Sequence, residues 1–390
     1  MGRPRLRVGI VGTGLAATPH LKGYAGRTEV VVAAVCDCDE GRARAFAERH
    51  SIPQVFTELA DMLPAVDLVD IATPTYLHAA MVRQAARAGK HIHCEKPFCR
   101  SVAEGEEAWA AVQQAGVKLL VGETYVFLRS HMEARALIEA GEIGRPLQIR
   151  QRHGEWRERP VPRIPTGPAD RSWRLDGALS GGGAYPWIFD HAVHFFATAE
   201  YFVPGASIAE VYAVRAAAAA GTRRAGAAHD PYAAPAVDIP IITWQYDDEA
   251  CQGVWMRAER LNGKFDYQRG FGTQIIGERG MIEVLGEGGH NLIWDGQQQH
   301  LVLHREGRNP VACRFPEGGD DVWDSEICYY SQGHINQVRH LLDCIAADAL
   351  PRYSGPEGIH AVRCTLAAIL SASERRPVRV AEVAADFTAY

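Results

Sequence analysis

The sequence predicts two units: a doubly wound parallel α/β sheet over residues 1–125, then an α+β unit over residues 126–390 built on a large, open, mostly antiparallel sheet. Three observations carry this. Apolar strands alternate with helical patterns through the first third of the chain, a glycine turn closes the first strand, and residues 205–310 hold successive strand patterns with no long helical period. At 390 residues the chain also exceeds the length at which one core usually keeps growing.

Leu6–Val11 reads as a short buried strand that ends in "GTGLAATPHLKGY". The spacing Gly12-x-Gly14-x-x-Ala17 satisfies the dinucleotide fingerprint, with alanine at the third position. Gly12 suits the tight turn and Gly14 lets backbone approach a pyrophosphate. Thr13, Leu15, Ala16 and Ala17 complete a helix start whose N–H groups face the anion. "EVVVAAVCD" is a second buried strand, closed by Asp37 about 20 residues past the motif. A carboxylate there accepts from both ribose hydroxyls and repels the extra phosphate of NADP, so NAD is the expected cofactor. The bland alternative is a glycine turn that binds nothing.

"EGRARAFAERH" then reads as a helix, "VDLVDIATP" as a strand, "YLHAAMVRQAARAG" as a helix and "HIHCEKPF" as a strand, with a helix near 101–115 and a strand in "VKLLVGETY". Ligands of such sheets lie beyond the carboxyl ends of the strands, which brings Thr73, Pro74, Thr75, His78, Glu95 and Lys96 to the crevice. The Lys96 ammonium can bond a substrate hydroxyl or stabilise an alkoxide there, or Lys96 is a surface lysine that merely follows a strand.

The second unit offers "GRPLQIRQRHGEW", "ASIAEVYAVRAAA", "VDIPIITWQYDDEACQGVWMRA", "FGTQIIGERGMIEVLG" and "HNLIWDGQQQHLVLH" as strands joined by polar or glycine turns. The alanine run near 216 either prolongs a strand or opens a loop, and the segment around 216–236 reads as an excursion loop. Helical patterns resume in "HINQVRHLLDCIAADA" and "GIHAVRCTLAAILSASE", which can return the chain to the first unit.

Hydrophobic residues make up 47% and charged residues 23%, as in ordinary globular proteins, and a net charge of -6 argues against non-specific nucleic acid binding. No apolar run approaches a membrane span and no secretory signal is evident, so a cytoplasmic protein is expected. The 9 cysteines lack zinc or dithiol spacing and read as buried thiols.

The stretch "SGGGAYPWIFDHAVHFF" sets Asp190, His191 and His194 among apolar residues directly after three glycines. Asp190 and His194 share a helical face about 6 Å apart at Cβ, and His191 points about 100° away. Three readings are open: Asp190 orients a proton-accepting His194, the pair is a satisfied core network, or the three residues hold a metal. No third ligand at helical spacing supports the metal, so none is expected. The glycines favour a site by allowing close backbone approach to a ligand.

Taken together, "VGIVGTG", Asp37, "ATPTYLH" at 72–78, "EKP" at 95–97, "GEIGRP" at 141–146, the glycines with Asp190-x-x-x-His194, "GTQIIGERGMIEV" and "PVRV" at 377–380 resemble the Gfo/Idh/MocA family, which includes glucose-fructose oxidoreductases and inositol 2-dehydrogenases. The resemblance covers nearly the whole chain and implies a Rossmann domain with a C-terminal open antiparallel sheet. It implies that Lys96, Asp190 and His194 oxidise a sugar, glycoside or cyclitol hydroxyl with NAD, His194 taking the proton and Asp190 fixing its tautomer. It also implies a cis Lys96–Pro97 bond and a homodimer or homotetramer. Tyr125, His153, Trp173, Arg174, Asp176 and Tyr267 are candidate substrate contacts. The aromatic "AYPWIF" between glycines and aspartate, Ala192 where glycine is common, and "GETYVFLRS" depart from the family pattern. Two other readings stand beside the dehydrogenase: a glycosidase or lyase that retains NAD through transient oxidation, and a non-catalytic NAD-binding regulator.

Overall fold

The computed structural model describes residues 5–14, 16–153, 173, 176–217, 238–257, 271–285, 292–294, 297–299, 301–313, 323–324, 327–328 and 330–390. Six strands form a parallel sheet: β1 Leu6–Val11, β2 Val30–Cys36, β3 Gln54–Phe56, β4 Leu68–Ile71, β5 His91–Glu95 and β6 Leu119–Gly122. Their order is β3-β2-β1-β4-β5-β6, so the direction of winding reverses between β1 and β4. Helices α1 Ala17–Tyr24, α2 Glu40–His50, α3 Thr75–Arg87 and α4 Val102–Ala115 supply the crossovers. The continuous apolar runs of β1, β4 and β6 follow from burial on both faces: Val8, Ile10, Leu68, Ile71 and Leu120 are wholly inaccessible.

Helix α5, Arg129–Glu139, leads into the second sheet, which the sequence reading does not register, as it also misses the three-residue β3. The second sheet comprises β7 Pro146–His153, β8 Ile208–Ala217, β9 Asp238–Tyr246, β10 Gln252–Arg257, β11 Phe271–Gly277, β12 Gly280–Leu285, β15 Leu301–Arg305, β16 Val311–Cys313 and β19 Val378–Arg379. Two small hairpins, β13 Leu292–Trp294 with β14 Gln297–Gln299 and β17 Trp323–Asp324 with β18 Ile327–Cys328, do not join the second sheet. Its order is β16-β15-β12-β11-β7-β10-β9-β8-β19. Pairing is antiparallel except between β7 and β10, which run parallel and occupy the centre. The alanine run near 216 extends β8 as far as Ala217, and the rest of the expected excursion loop lies outside the described residues.

One face of this sheet is covered by α6 Pro186–Tyr201 and by α8 Gly355–Glu374, and α7 Tyr330–Ala347 lies against α1. Gly23 permits that last crossing, since a Cβ there would lie 2.6 Å from Val338. The opposite face carries Val214, Ile241 and Met256, aligned across β8, β9 and β10 and each exposed. Among the described cysteines Cys38 is exposed and Cys313 half-buried, so the expectation of uniformly buried thiols fails at Cys38, just past the end of β2.

The three glycines serve the chain itself. A Cβ on Gly181 would lie 2.9 Å from the Arg100 side chain, and one on Gly182 2.6 Å from Pro186 Cα. Gly183 has φ +57°, and its Cβ would overlap the Ala389 carbonyl oxygen at 1.6 Å. The C-terminal tail therefore takes the space that the sequence reading gives to a ligand. Gly183→Ala should lower stability by roughly 1–3 kcal/mol through backbone strain plus this overlap. Thermal melts with and without residues 387–390 check it: the deletion removes the overlap, so the cost of the substitution should shrink.

Candidate active site

Gly12 holds φ +88°, and a Cβ there would lie 2.6 Å from the Ala72 carbonyl, so strand end and neighbouring loop meet where only glycine fits. A Cβ at Gly14 would meet nothing within 4 Å. That open side lies at the start of α1, whose first turn has neither an acidic residue nor a side-chain cap. Ala17 is wholly buried with Ile10 and Val35, which brings helix and sheet close. Ala16 is the N-cap position, and Leu15 lies outside the described residues.

Asp37 follows β2. Its Oδ2 accepts from the Thr13 N–H at 2.9 Å and the Thr13 hydroxyl at 2.7 Å, and its Oδ1 accepts from the Asp39 N–H at 3.0 Å and from Arg42 at 3.2 Å. Burial opposes ionisation, but these donors overcome it and hold the carboxyl below its ordinary range. Thr13 thus fixes the carboxylate, and Arg42, which the sequence reading passes over, stands beside it. The open glycine side, the bare helix start and the anchored Asp37 together fit a dinucleotide, with the pyrophosphate at the turn and a ribose on Asp37.

The remaining residues of the crevice hold loops. Pro74 caps α3 and Thr75 begins it. The Thr73 carbonyl lies 2.8 Å from His78 Nε2 and the Pro97 carbonyl 2.7 Å from His78 Nδ1, so this buried imidazole ties the loop after β4 to the loop after β5. The Lys96–Pro97 peptide is cis. Glu95 turns inward, with Oε1 3.1 Å from His20 Nε2.

Lys96 and α6 meet across the two units. Lys96 Nζ donates to the Asp190 carbonyl at 3.1 Å and to Asp190 Oδ1 at 3.3 Å. Pro186 opens α6 at its first turn, and the i, i+4 spacing sets Asp190 and His194 on one face. His194 Nδ1 lies 2.6 Å from Glu123 Oε1, and Glu123 is wholly buried after β6. The side chain bonded to His194 Nδ1 is thus that of Glu123, a residue 71 positions away in the chain, where the sequence suggests Asp190, and Asp190 bonds Lys96. The Glu123 oxygen accepts a proton on Nδ1, which leaves the lone pair of a neutral imidazole on Nε2.

Tyr125 stacks on His194, with ring centroids 4.4 Å apart and planes at 14°, so it forms the wall of the histidine. His191 Nε2 lies 3.7 Å from Asp190 Oδ2, closer to the pair than its helical angle suggests. His153, at the end of β7, is buried between the rings of His191 and Phe195. Burial first, then the charges of Arg257 and His194, pushes it well below the ordinary histidine range. Asp176 accepts from the Ala178 and Leu179 N–H groups at 2.9 Å and caps a single helical turn. Trp173 is half-buried, and Arg174 and Tyr267 lie outside the described residues. Glu123 carries no signal in sequence beyond its place at the end of a strand.

Two sequence profiles cover this architecture: one described as an oxidoreductase family with an NAD-binding Rossmann fold over residues 6–123, the other as that family's C-terminal alpha/beta domain over residues 135–380. The chain belongs to the Gfo/Idh/MocA family of oxidoreductases, and its cofactor is NAD. It is 33% identical over 213 residues to the oxidoreductase YrbE of Bacillus subtilis, an alignment that covers 54% of this chain and 57% of that one. It is 24% identical over 385 residues to a myo-inositol 2-dehydrogenase of Thermotoga maritima, covering 97% and 99%. Among solved structures, levoglucosan dehydrogenase in complex with NADH and levoglucosan superposes with a TM-score of 0.75 at 23% identity, covering 96% of this chain and 99% of that one. An oxidoreductase domain protein from Kribbella flavida superposes at 0.76 with 23% identity, covering 97% and 100%.

Wild type should prefer NAD over NADP because Asp37 repels a 2′-phosphate. Asp37→Ala should relax or invert the preference, since the freed Arg42 guanidinium then faces that position. Equilibrium titrations with both dinucleotides read this directly.

Proposed function

We propose that this protein oxidises a secondary hydroxyl of a sugar, glycoside or cyclitol. The observation that carries the reading is the paired arrangement of Glu123 on His194 Nδ1 and Asp190 on Lys96 at the carboxyl end of β5. The names of the full-length relatives, an inositol and a levoglucosan dehydrogenase, support the substrate class. NAD, when bound, supplies the hydride acceptor. His194 takes the hydroxyl proton at Nε2, and Glu123 stabilises the imidazolium that results. Lys96 donates a hydrogen bond to the same oxygen as negative charge develops on it. Glu123 and Asp190 are positioning residues, acting through His194 and Lys96.

A panel of polyols, sugars and glycosides with NAD, read at the absorbance of NADH and by identification of the ketone, tests the activity. Product released without net NADH would replace it by the NAD-retaining lyase reading, and NAD binding without turnover would leave a binding protein. On the best substrate, His194→Ala should lower kcat by about 10²–10⁴ with NAD affinity nearly unchanged. Lys96→Met should slow the same step. Glu123→Gln should lower kcat more than it changes KM, whereas a purely structural Glu123 would alter the melting temperature and leave kcat per folded molecule intact.

The aligned exposed side chains Val214, Ile241 and Met256 support self-association through the open face of the second sheet. Light scattering at micromolar concentration should give at least a dimer, and Ile241→Arg should shift it toward monomer. A monomeric wild type overturns this.

A further inference from the structure

A second polar cluster lies where α1 and α7 meet the parallel sheet. His20 on α1 is wholly buried, with Nδ1 2.8 Å from Asp70 Oδ1 and Nε2 3.1 Å from Glu95 Oε1. Asp70, also wholly buried on β4, takes His93 Nδ1 of β5 at 2.9 Å and the Tyr24 hydroxyl of α1 at 2.7 Å. His334 of α7 completes the surround, with Nε2 3.9 Å from Glu95 Oε1 and Nδ1 3.2 Å from the Thr124 hydroxyl. A neutral imidazole owns one N–H, so its second nitrogen would direct a lone pair at a carboxylate oxygen. With Asp70 and Glu95 both ionised, the two contacts of His20 are satisfied together only when both nitrogens carry protons.

We infer that His20 is a buried imidazolium that bridges Asp70 and Glu95, and that it acts as a positioning residue locking the cofactor helix α1 to the strand that delivers Lys96. His20 sits in the second turn of α1, whose first turn faces the pyrophosphate, and Glu95 is the residue before Lys96. The bridge therefore joins the two parts whose spacing governs where cofactor and lysine stand. It rests on the proposed roles of NAD and Lys96, and its readouts do not need a sugar substrate.

Burial would by itself lower the affinity of His20 for a proton, but Asp70 and then Glu95 overcome it and lift the group from 6.5 to about 10. The same contacts bring Glu95 from 4.5 down to about 2 against its burial. His334 is driven by burial, and secondarily by the charge of His20, down to about 3 and stays neutral. The contribution of His20 to stability is thus full below pH 6.5 and is lost as pH rises through about 10. That of Glu95 is full above pH 4.5 and is lost as pH falls through about 2.

The test uses the full chain with 15N-labelled histidine. Wild type at pH 8.5 should show a histidine signal with both ring nitrogens protonated that is absent from His20→Gln. Glu95→Gln should return that histidine toward ordinary titration. NAD should bind about tenfold or more weakly to His20→Gln, and melts should decline between pH 6.5 and 10 in wild type with a flatter profile in the variant. Should His20→Gln fail to fold, His20→Gln with Glu95→Gln removes both charges of the pair, and the wild-type spectrum stands alone. A neutral His20 at pH 8.5 overturns the inference. So does a stoichiometric bound metal with His20 as a ligand, or a folded His20→Gln that binds NAD within twofold of wild type.

Discussion

A buried carboxylate has to be paired, and Glu123 is paired across the two halves of the molecule. It leaves β6 of the parallel sheet wholly inaccessible to solvent, and its nearest cationic or donor side chain is His194 on a helix of the second sheet. Leaving such a group alone would cost several kcal/mol, so the two units cannot separate without exposing or stranding it. Lys96 and Asp190 repeat the pattern a few residues away, again one partner from each unit. The site exists because these pairs are satisfied only when the units are together.

The legible parts of this architecture are the local ones. Strand and helix alternation, the glycine turn and Asp37 follow from periodicity and spacing within about 30 residues, where backbone geometry alone decides what can occur. Lys96 and His194 were legible as chemistry, yet their partners were exchanged: helical spacing pairs Asp190 with His194, while the fold pairs each with a residue from the other unit. No periodicity carries a contact between positions 123 and 194. The same limit hides the parallel pairing of β7 with β10, whose strands are about 100 residues apart, and the role of Gly183, whose crowding neighbour is the C-terminal tail.

The glycines show how a correct residue choice can have a different cause. In sequence, three glycines before an Asp and two His read as room for a ligand. In the fold, the room is filled by Arg100, by the first turn of α6 and by Ala389. Their effect on the site is indirect but definite, because they fix where α6 begins and hence where Asp190 and His194 fall on it. A ligand gap and a packing gap impose the same demand on Cβ, which is why the motif alone does not separate them.

The surroundings of His194 bear on why its partner is a carboxylate and its wall an aromatic ring. In the proposed reaction the proton that arrives on Nε2 creates a cation between Glu123 and the face of Tyr125, whose ring centroid is 4.4 Å from that of His194. The carboxylate bonds Nδ1 and the ring lies against the imidazole face, so both adjoin the charge that the proposed transfer creates. They are already in place before any proton moves, so little reorganisation accompanies its arrival. Lys96 meets the complementary need on the substrate oxygen. Held by Asp190 at its carbonyl and carboxylate, its ammonium keeps one N–H to direct at a developing negative charge. Proton acceptor and oxyanion donor are thus each backed by an anion from the opposite unit, and closing the two units together prepares both.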